Sequence, residues 1–390
     1  MLRRSTAATS FARFARFVLF ASFVPFVPFI AACWSSAALA PDSNDVAPYH
    51  VGAVWHVFHP SVPRDWRGAQ TQALVTEIWY PVDRDVPEAP QPIGDAAQAL
   101  FQGHPLAVDA TLSPAHKKYP LLVLSHGTGG SAASLDWLAA ALAANGYIVA
   151  GVNHPGNNAL GPLTPEGFVL WWERATDLSE VLDGVLADPV LGARIDTARI
   201  GAVGFSLGGY TVLELAGART NQKRFMDFCA SPAADAICHP PEMRRMQGAV
   251  PTPASFSPET NASIARSGDS YRDNRIKAVF AIAPALGEAF DESSFAEVKI
   301  PVSLTAGTAD MIAPVATNIH RIAGLMPEAT ISMVPGAAHN TFLDTCLPDA
   351  VDQVASLCKD GPGVDRDAIH AQTVARALAF FSDTLPSKPQ

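Results

Sequence analysis

The run RIGAVGFSLGG, residues 199–209, constrains this chain more than any other stretch. A short apolar segment, 200–205, ends in Gly204-Phe205-Ser206-Leu207-Gly208, and a helix-forming segment, 210–218, follows at once. A serine set between glycines, with a strand before it and a helix after it, reads as a turn so sharp that flanking side chains would collide. Gly204 and Gly208 leave that room, and Gly209 lets the helix lie close to the strand. Such a turn presents the serine hydroxyl as a nucleophile at the edge of a sheet.

A serine hydroxyl is a weak nucleophile at neutral pH and needs a base, which in turn needs an orienting acid. Four histidines follow Ser206: His239, His320, His339 and His370. His239 lies in a stretch with prolines and cysteines, His320 inside an expected helix over 314–325, and His370 on the last expected helix. Only His339 follows an expected strand, 329–334, through a small flexible loop, which suits a base at the carboxyl edge of a sheet. The acid is expected at the end of the preceding strand, 300–305, where Asp310 stands. An N-cap role for Asp310 is the competing reading. Asp344 is the alternative acid, a few residues beyond His339 on an expected helix.

An attacking serine also needs preorganised N–H donors for the oxyanion. One is the backbone N–H of Leu207. The loop His126-Gly127-Thr128-Gly129-Gly130, after the apolar strand 119–125, offers a second at Thr128, with Gly127 and Gly129 giving close backbone approach. A plain glycine-rich β-to-α turn is the competing reading. Neither G-x-G-x-x-G nor G-x-x-x-x-G-K-[ST] occurs there, which argues against a nucleotide loop. His126 precedes Ser206 and is expected to support the loop by hydrogen bonding. Ser131 is placed to cap a helix over 132–144.

Along the chain, opening strands at 51–58 and 73–80 precede strand 119–125, helix 132–144, strand 147–153, helix 168–187, strand 199–205 and helix 208–218. After an interruption come strands 277–283 and 300–305, helix 314–325, strand 330–334 and helix 366–383. Alternating strands and helices predict a mostly parallel sheet covered on both faces. The interruption, 219–275, is long for a connection. It reads as a lid or pocket wall, or as a surface insert. Trp171 and Trp172 open the helix after 154–157. They are candidates for lining a pocket, although adjacent helical residues do not share a face, so at least one packs.

The string SHGTGGSAASLDWLAAALAANGYIVAGVNHPGN, residues 125–157, together with EIWYPVD at 77–83, resembles the predicted dienelactone-hydrolase group of α/β-hydrolases. It is similar also to platelet-activating-factor acetylhydrolases, which share the S-H-G loop and the G-x-S-x-G-G elbow. The resemblance runs from about Val51 to Leu385. It implies the α/β-hydrolase fold, with the triad at Ser206, Asp310 and His339 and oxyanion donors at Thr128 and Leu207. Dienelactone hydrolases proper carry a cysteine where this chain has Ser206, so the resemblance implies a serine esterase and no particular ester.

Residues 1–32 read as a signal peptide: Arg3, Arg4, Arg13 and Arg16 precede an apolar stretch, 17–32, and Pro25 and Pro28 disfavour a spanning helix. The phenylalanines that recur every third residue from 11 to 29 read as low-complexity hydrophobicity. Ile30-Ala31-Ala32-Cys33 resembles a lipobox with Cys33 as the lipidated residue; Ala38-Leu39-Ala40 is the rival cleavage site. The expected location is therefore periplasmic, extracellular or the outer membrane as a lipoprotein. Domain organisation follows: a linker at 33–50, an α/β-hydrolase domain over 51–218 and 276–386, and the insert at 219–275. Export makes disulfides the expected state of the other cysteines, and the least loop closure pairs Cys229 with Cys238 and Cys346 with Cys358. Their spacings do not fit a zinc ribbon, and no metal or organic cofactor is expected. A net charge of −10 without basic runs excludes nucleic acid as a natural partner.

Together these features predict an exported serine hydrolase of carboxylic esters, acting through an acyl-enzyme on a small-molecule or lipid ester. The alternatives are a serine peptidase of the same fold or a lipid- or lactone-specific esterase. A non-enzymatic binding module would be expected to lack one of the triad residues.

Overall fold

A computed structural model describes residues 47–60, 73–95, 98–244 and 256–386. The leader, Cys33 and the processing sites lie outside the described residues. The described residues all belong to one compact unit, Asn44–Gln390.

Two antiparallel strands open it, β1 (His50–Phe58) and β2 (Leu74–Val82). Four short strands follow: β3 (Ala89–Pro90), β4 (Ile93–Asp95), β5 (Gln98–Phe101) and β6 (Pro105–Val108). The sequence pattern missed these four. They hold two to four residues each, and β3 and β6 carry a proline, so no alternation develops, and β6 is fixed by parallel pairing with the distant β1.

The regular alternation then begins with β7 (Tyr119–Ser125), α1 (Asp136–Ala144) and β8 (Ile148–Val152). All seven residues of β7 are buried, as expected for a near-continuous apolar run in the middle of a parallel sheet. A 3-10 turn, Ala132–Leu135, leads into α1, with Ser131 accepting from the Ser134 N–H as the expected cap. The helix expected over 168–187 is two helices, α2 (Pro165–Val169) and α3 (Glu173–Ala187). Leu170, at ψ 55°, breaks the path, and the break turns both neighbouring tryptophans inward.

Next come β9 (Ile195–Phe205), α4 (Leu207–Ala216), α5 (Gln222–Cys229), α6 (Pro258–Ala265) and β10 (Ile276–Ile282). The chain ends with β11 (Val302–Gly307), α7 (Ile319–Leu325), β12 (Thr330–Val334), α8 (Ala355–Cys358) and α9 (Arg366–Thr384). Helix α7 starts five residues later than expected, because 311–318 form turns in which Thr317 and Asn318 side chains donate back to the Pro314 carbonyl.

Ten strands form one sheet in the order β12-β11-β10-β9-β7-β8-β2-β1-β6-β3. From β12 to β8 every pairing is parallel; β2 joins β8 antiparallel. Helices α1 and α9 pack together on one face, and α3 and α4 on the other. The strand order reverses direction between β7 and its neighbours β8 and β9, which opens a crevice at their carboxyl ends. Among the described residues no helix is long and apolar enough to cross a membrane.

Both disulfides join the expected partners: Cys229–Cys238 in the insert and Cys346–Cys358 after β12, with Cα atoms 5.5 and 5.7 Å apart. The second closes a loop that β5 also holds, since Gln102 N–H donates to Thr345 O. Replacing Cys346 and Cys358 together by alanine is expected to lower the unfolding free energy by about 3 kcal/mol, the loop-closure value for so short a bridge. Urea denaturation of the two proteins measures the difference; a loss under about 1 kcal/mol would mean that the loop is already confined by other contacts.

Candidate active site

Ser206 stands between β9 and α4 at φ 57° and ψ −119°, a conformation that side chains rarely adopt. Its surroundings hold it there. The Ser206 N–H donates to Ile282 O at 2.8 Å, and its carbonyl accepts from Ala285 N–H at 3.1 Å. The chain that supplies this clamp is bent beside each contact, with Ala283, next to Ile282, at φ 43° and Leu286, next to Ala285, at φ 57°. A Cβ on Gly204 would fall 2.1 Å from Gly208 O, and one on Gly208 would fall 1.9 Å from Ser125 O. The glycines therefore serve two close approaches, strand to helix and elbow to the loop after β7. The clamp at 282–285 was not legible, because nothing in an apolar strand end signals which backbone it will grip.

Ser206 Oγ lies 2.8 Å from His339 Nε2, and His339 Nδ1 lies 2.7 Å from Asp310 Oδ2. All three are at least nine-tenths buried. Nδ1 donates to the carboxylate, which leaves Nε2 to accept from the serine hydroxyl. Asp310 Oδ1 accepts from the N–H groups of Ile312 and Ala313 at 3.0 and 2.8 Å. The capping reading and the orienting reading thus coexist in one carboxylate: one oxygen fixes the turn, the other faces the histidine.

His339 opens a 3-10 turn, His339–Phe342, and its ring sits 4.9 Å from that of Phe205. The turn rests on α9 and α1. His370 shares a hydrogen bond with Thr341 O at 2.8 Å and stacks on Trp137, whose indole N–H donates to Phe342 O. Burial lowers the His370 pKa to about 4. His239 and His320 make no hydrogen bond to Ser206. Asp344 does not reach His339 and lies in irregular chain, not on a helix. Its Oδ1 accepts from the Thr345 N–H, and burial, then the charge of Asp136, raise its pKa to about 7.

The loop 126–130 is fastened at several of its polar groups. His126 Nδ1 shares a hydrogen bond with Gly127 O at 2.6 Å, Gly130 N–H donates to the same oxygen, and Gly129 N–H donates to Asn157 Oδ1 at 2.8 Å. Among the described residues no acceptor pairs with the N–H of Thr128 or of Leu207. His126 acts as expected, and burial, with Arg174 and His154 close by, holds its pKa well below the usual range. Arg174, Asp177, His154 and Asn157 escaped the sequence reading. A signal existed for two of them: Arg174 and Asp177 fall on the stripe of α3 that also carries Leu178 and Val181, where charges are costly.

The insert reaches this loop. A Cβ on Gly129 would lie 3.5 Å from Glu242 Cγ and 3.8 Å from Leu163. Both tryptophans are buried and packed against the insert: Trp172 donates to Ser263 Oγ of α6 at 3.0 Å, and Trp171 meets Phe225 of α5 edge-on. An open groove of about 610 Å³ runs beside α5, lined by Asn221, Arg224, Phe228, Glu288 and Thr317 among others. Its Arg224 is paired with Glu288 at 2.7 Å. Among the described residues no group of three or more His, Cys, Asp or Glu is placed to hold a metal ion.

Glu214, two turns along α4 from Ser206, is wholly buried and accepts from Tyr210 Oη and Thr220 Oγ1 at 2.9 and 2.7 Å. Burial pushes its carboxyl up to about 8. A raised folded pKa means that the folded state holds the proton longer than the unfolded chain. Stability is then full below the ordinary glutamate range and falls as pH rises toward 8, by up to about 1.4 kcal/mol per pH unit. Urea midpoints between pH 5 and 9 are expected to fall less steeply in Glu214→Gln; equal slopes would remove Glu214 as the source.

The model of the alpha/beta hydrolase family matches residues 122–357, a span that contains Ser206, Asp310 and His339. Over 93 residues the chain is 33% identical to Lipase 1 of Moraxella sp. (strain TA144), which covers 24% of this chain. The match spans about a quarter, 26%, of that relative's length. The structure of a ferulic acid esterase from Streptomyces cinnamoneus superposes with a TM-score of 0.55 at 20% identity, over 90% of this chain and 94% of that one, a likeness of fold. These likenesses reach the superfamily and not the narrower groups that residues 125–157 resemble.

Proposed function

The chain belongs to the alpha/beta hydrolase family, and from that footing we propose that it is an exported serine hydrolase that cleaves carboxylic esters. The observation that carries this reading is the unbroken hydrogen-bond chain from Ser206 Oγ through His339 to Asp310, mounted on a serine held at positive φ. His339 Nε2 takes the hydroxyl proton as Ser206 Oγ attacks the ester carbonyl. The oxyanion forms against the N–H groups of Thr128 and Leu207. Asp310 keeps the proton of His339 on Nδ1 and stabilises the imidazolium. The intermediate collapses as His339 returns its proton to the departing alkoxide, leaving an acyl group on Ser206. His339 then takes a proton from water, the hydroxide attacks the acyl carbon, and the acid leaves as Ser206 regains its proton.

The local likeness to a lipase favours an ester over other acyl compounds. Two disulfides favour an oxidising compartment, in keeping with a leader at 1–32 and with either Cys33 lipidation or cleavage after Ala40. The substrate is a small-molecule or lipid ester, and the insert 219–275 forms part of its pocket wall through Glu242 beside Gly129.

Turnover of p-nitrophenyl acetate and butyrate tests the assignment. Ser206→Ala and His339→Ala are expected to lower kcat by at least about 10⁴-fold, and Asp310→Asn by about 10²- to 10⁴-fold. Asp344→Asn should stay within about three-fold of wild type, since it is hydrogen-bonded elsewhere. Full activity in Ser206→Ala would sink the reading, and a severe loss in Asp344→Asn with a silent Asp310→Asn would move the acid. Matched anilide substrates separate esterase from peptidase.

A further inference from the structure

Behind the candidate site lies a second serine–histidine–aspartate chain. Ser125 Oγ is 2.8 Å from His154 Nε2, and His154 Nδ1 is 2.8 Å from Asp177 Oδ2. All three residues are fully buried, with exposures of 0%, so no substrate reaches Ser125. Arg174, 1% exposed, adds its guanidinium: Nη2 donates to His126 O and lies 3.4 Å from Ser125 Oγ.

The donors and acceptors run in one direction. Arg174 donates to Ser125 Oγ, whose own proton then goes to His154 Nε2, and the remaining ring proton on Nδ1 goes to Asp177. The His154 backbone N–H donates to His126 Nε2 at 3.2 Å. That bond assigns the His126 proton to Nδ1, where it is donated to Gly127 O. A trans peptide is planar, with its C=O and N–H antiparallel. Fixing Gly127 O therefore turns the Thr128 N–H to the opposite side, away from the buried array.

We propose that Asp177, Arg174 and His154, with Ser125 between them, are positioning residues that aim the Thr128 N–H at the developing oxyanion. The proposal rests on the esterase reading of Ser206. The array touches no substrate. It works by holding His126 O through Arg174 and by setting the His126 tautomer through the His154 backbone, so that the loop arrives with its donor already oriented. The burial of an arginine and an aspartate on one turn of α3 is costly without such a role.

Asp177→Asn and Ser125→Ala test it; the second removes a single oxygen and keeps the fold if Asp177→Asn does not. Each is expected to lower kcat about 10- to 100-fold with KM nearly unchanged, somewhat less than loss of a whole oxyanion donor. Binding of an alkyl trifluoromethyl ketone, which forms a hemiketal oxyanion on Ser206, should weaken by the same factor. Binding of the matching methyl ketone, which stays a ground-state ligand, should not change. A purely structural role would weaken both ketones together or lower the melting temperature alone, and either result overturns the proposal. Ser206→Ala in the same assays separates the two readings. If it retains turnover, the esterase reading falls. If it is inactive while the folded variants turn over like wild type, the esterase reading stands and the positioning proposal falls.

Discussion

The backbone contact between the elbow and the loop after β7 is the constraint on which the site depends. Gly208 lies so close to Ser125 O that a single methyl group would overlap it. That contact sets the separation between the two N–H groups left unpaired, Leu207 on one side and Thr128 on the other. Two neighbouring parallel strands, β7 and β9, end at the same height, and their exits diverge into opposite faces of the sheet. The gap between the exits is where the proposed ester hydrolysis would place the acyl carbon. The strained angle at Ser206 is tolerated because the end of β10 bonds its N–H and the turn after β10 bonds its carbonyl, so the residue is held from both sides.

Much of this was legible in the chain because it rests on residues that few others can replace. Glycine at 204, 208 and 209 marks a close approach; β7 and the buried end of β9, 200–205, read as apolar runs; Asp310 and His339 each follow a strand by a short loop. The helix expected at 314 was misplaced because the signals there are double. Pro314 resembles a helix start, yet Asp310 already caps the preceding turn, and Asn318 bonds back to Pro314 O while also accepting from Gly287 N–H. Competition among side chains for the same backbone groups does not show in a linear pattern. The four short strands between 89 and 108 failed for another reason: at two to four residues each they are too short to show a period, and β6 is placed by pairing with β1, dozens of residues away.

The break at 170 changes what the two tryptophans are for. A continuous helix would have sent them to different faces; the bend delivers both into the seam between α3 and the insert. The insert is thereby anchored by α5 and α6 to the helix that also carries Arg174 and Asp177. The anchor of the insert and the support of the loop 126–130 lie on one element, so the two are held in a common frame.

The two serine–histidine–aspartate chains hold the same residue types at nearly the same distances, yet only one can be a workplace. What separates them is geometry of presentation: Ser206 projects from an outward turn, while Ser125 ends a strand with its hydroxyl facing the interior. Any three-residue template that compares only atom types and spacings would score them alike and return two hits in this chain. Recognition of such constellations therefore has to include the direction from which a reactant would arrive, since chemistry that is identical on paper becomes scaffolding once the approach is closed.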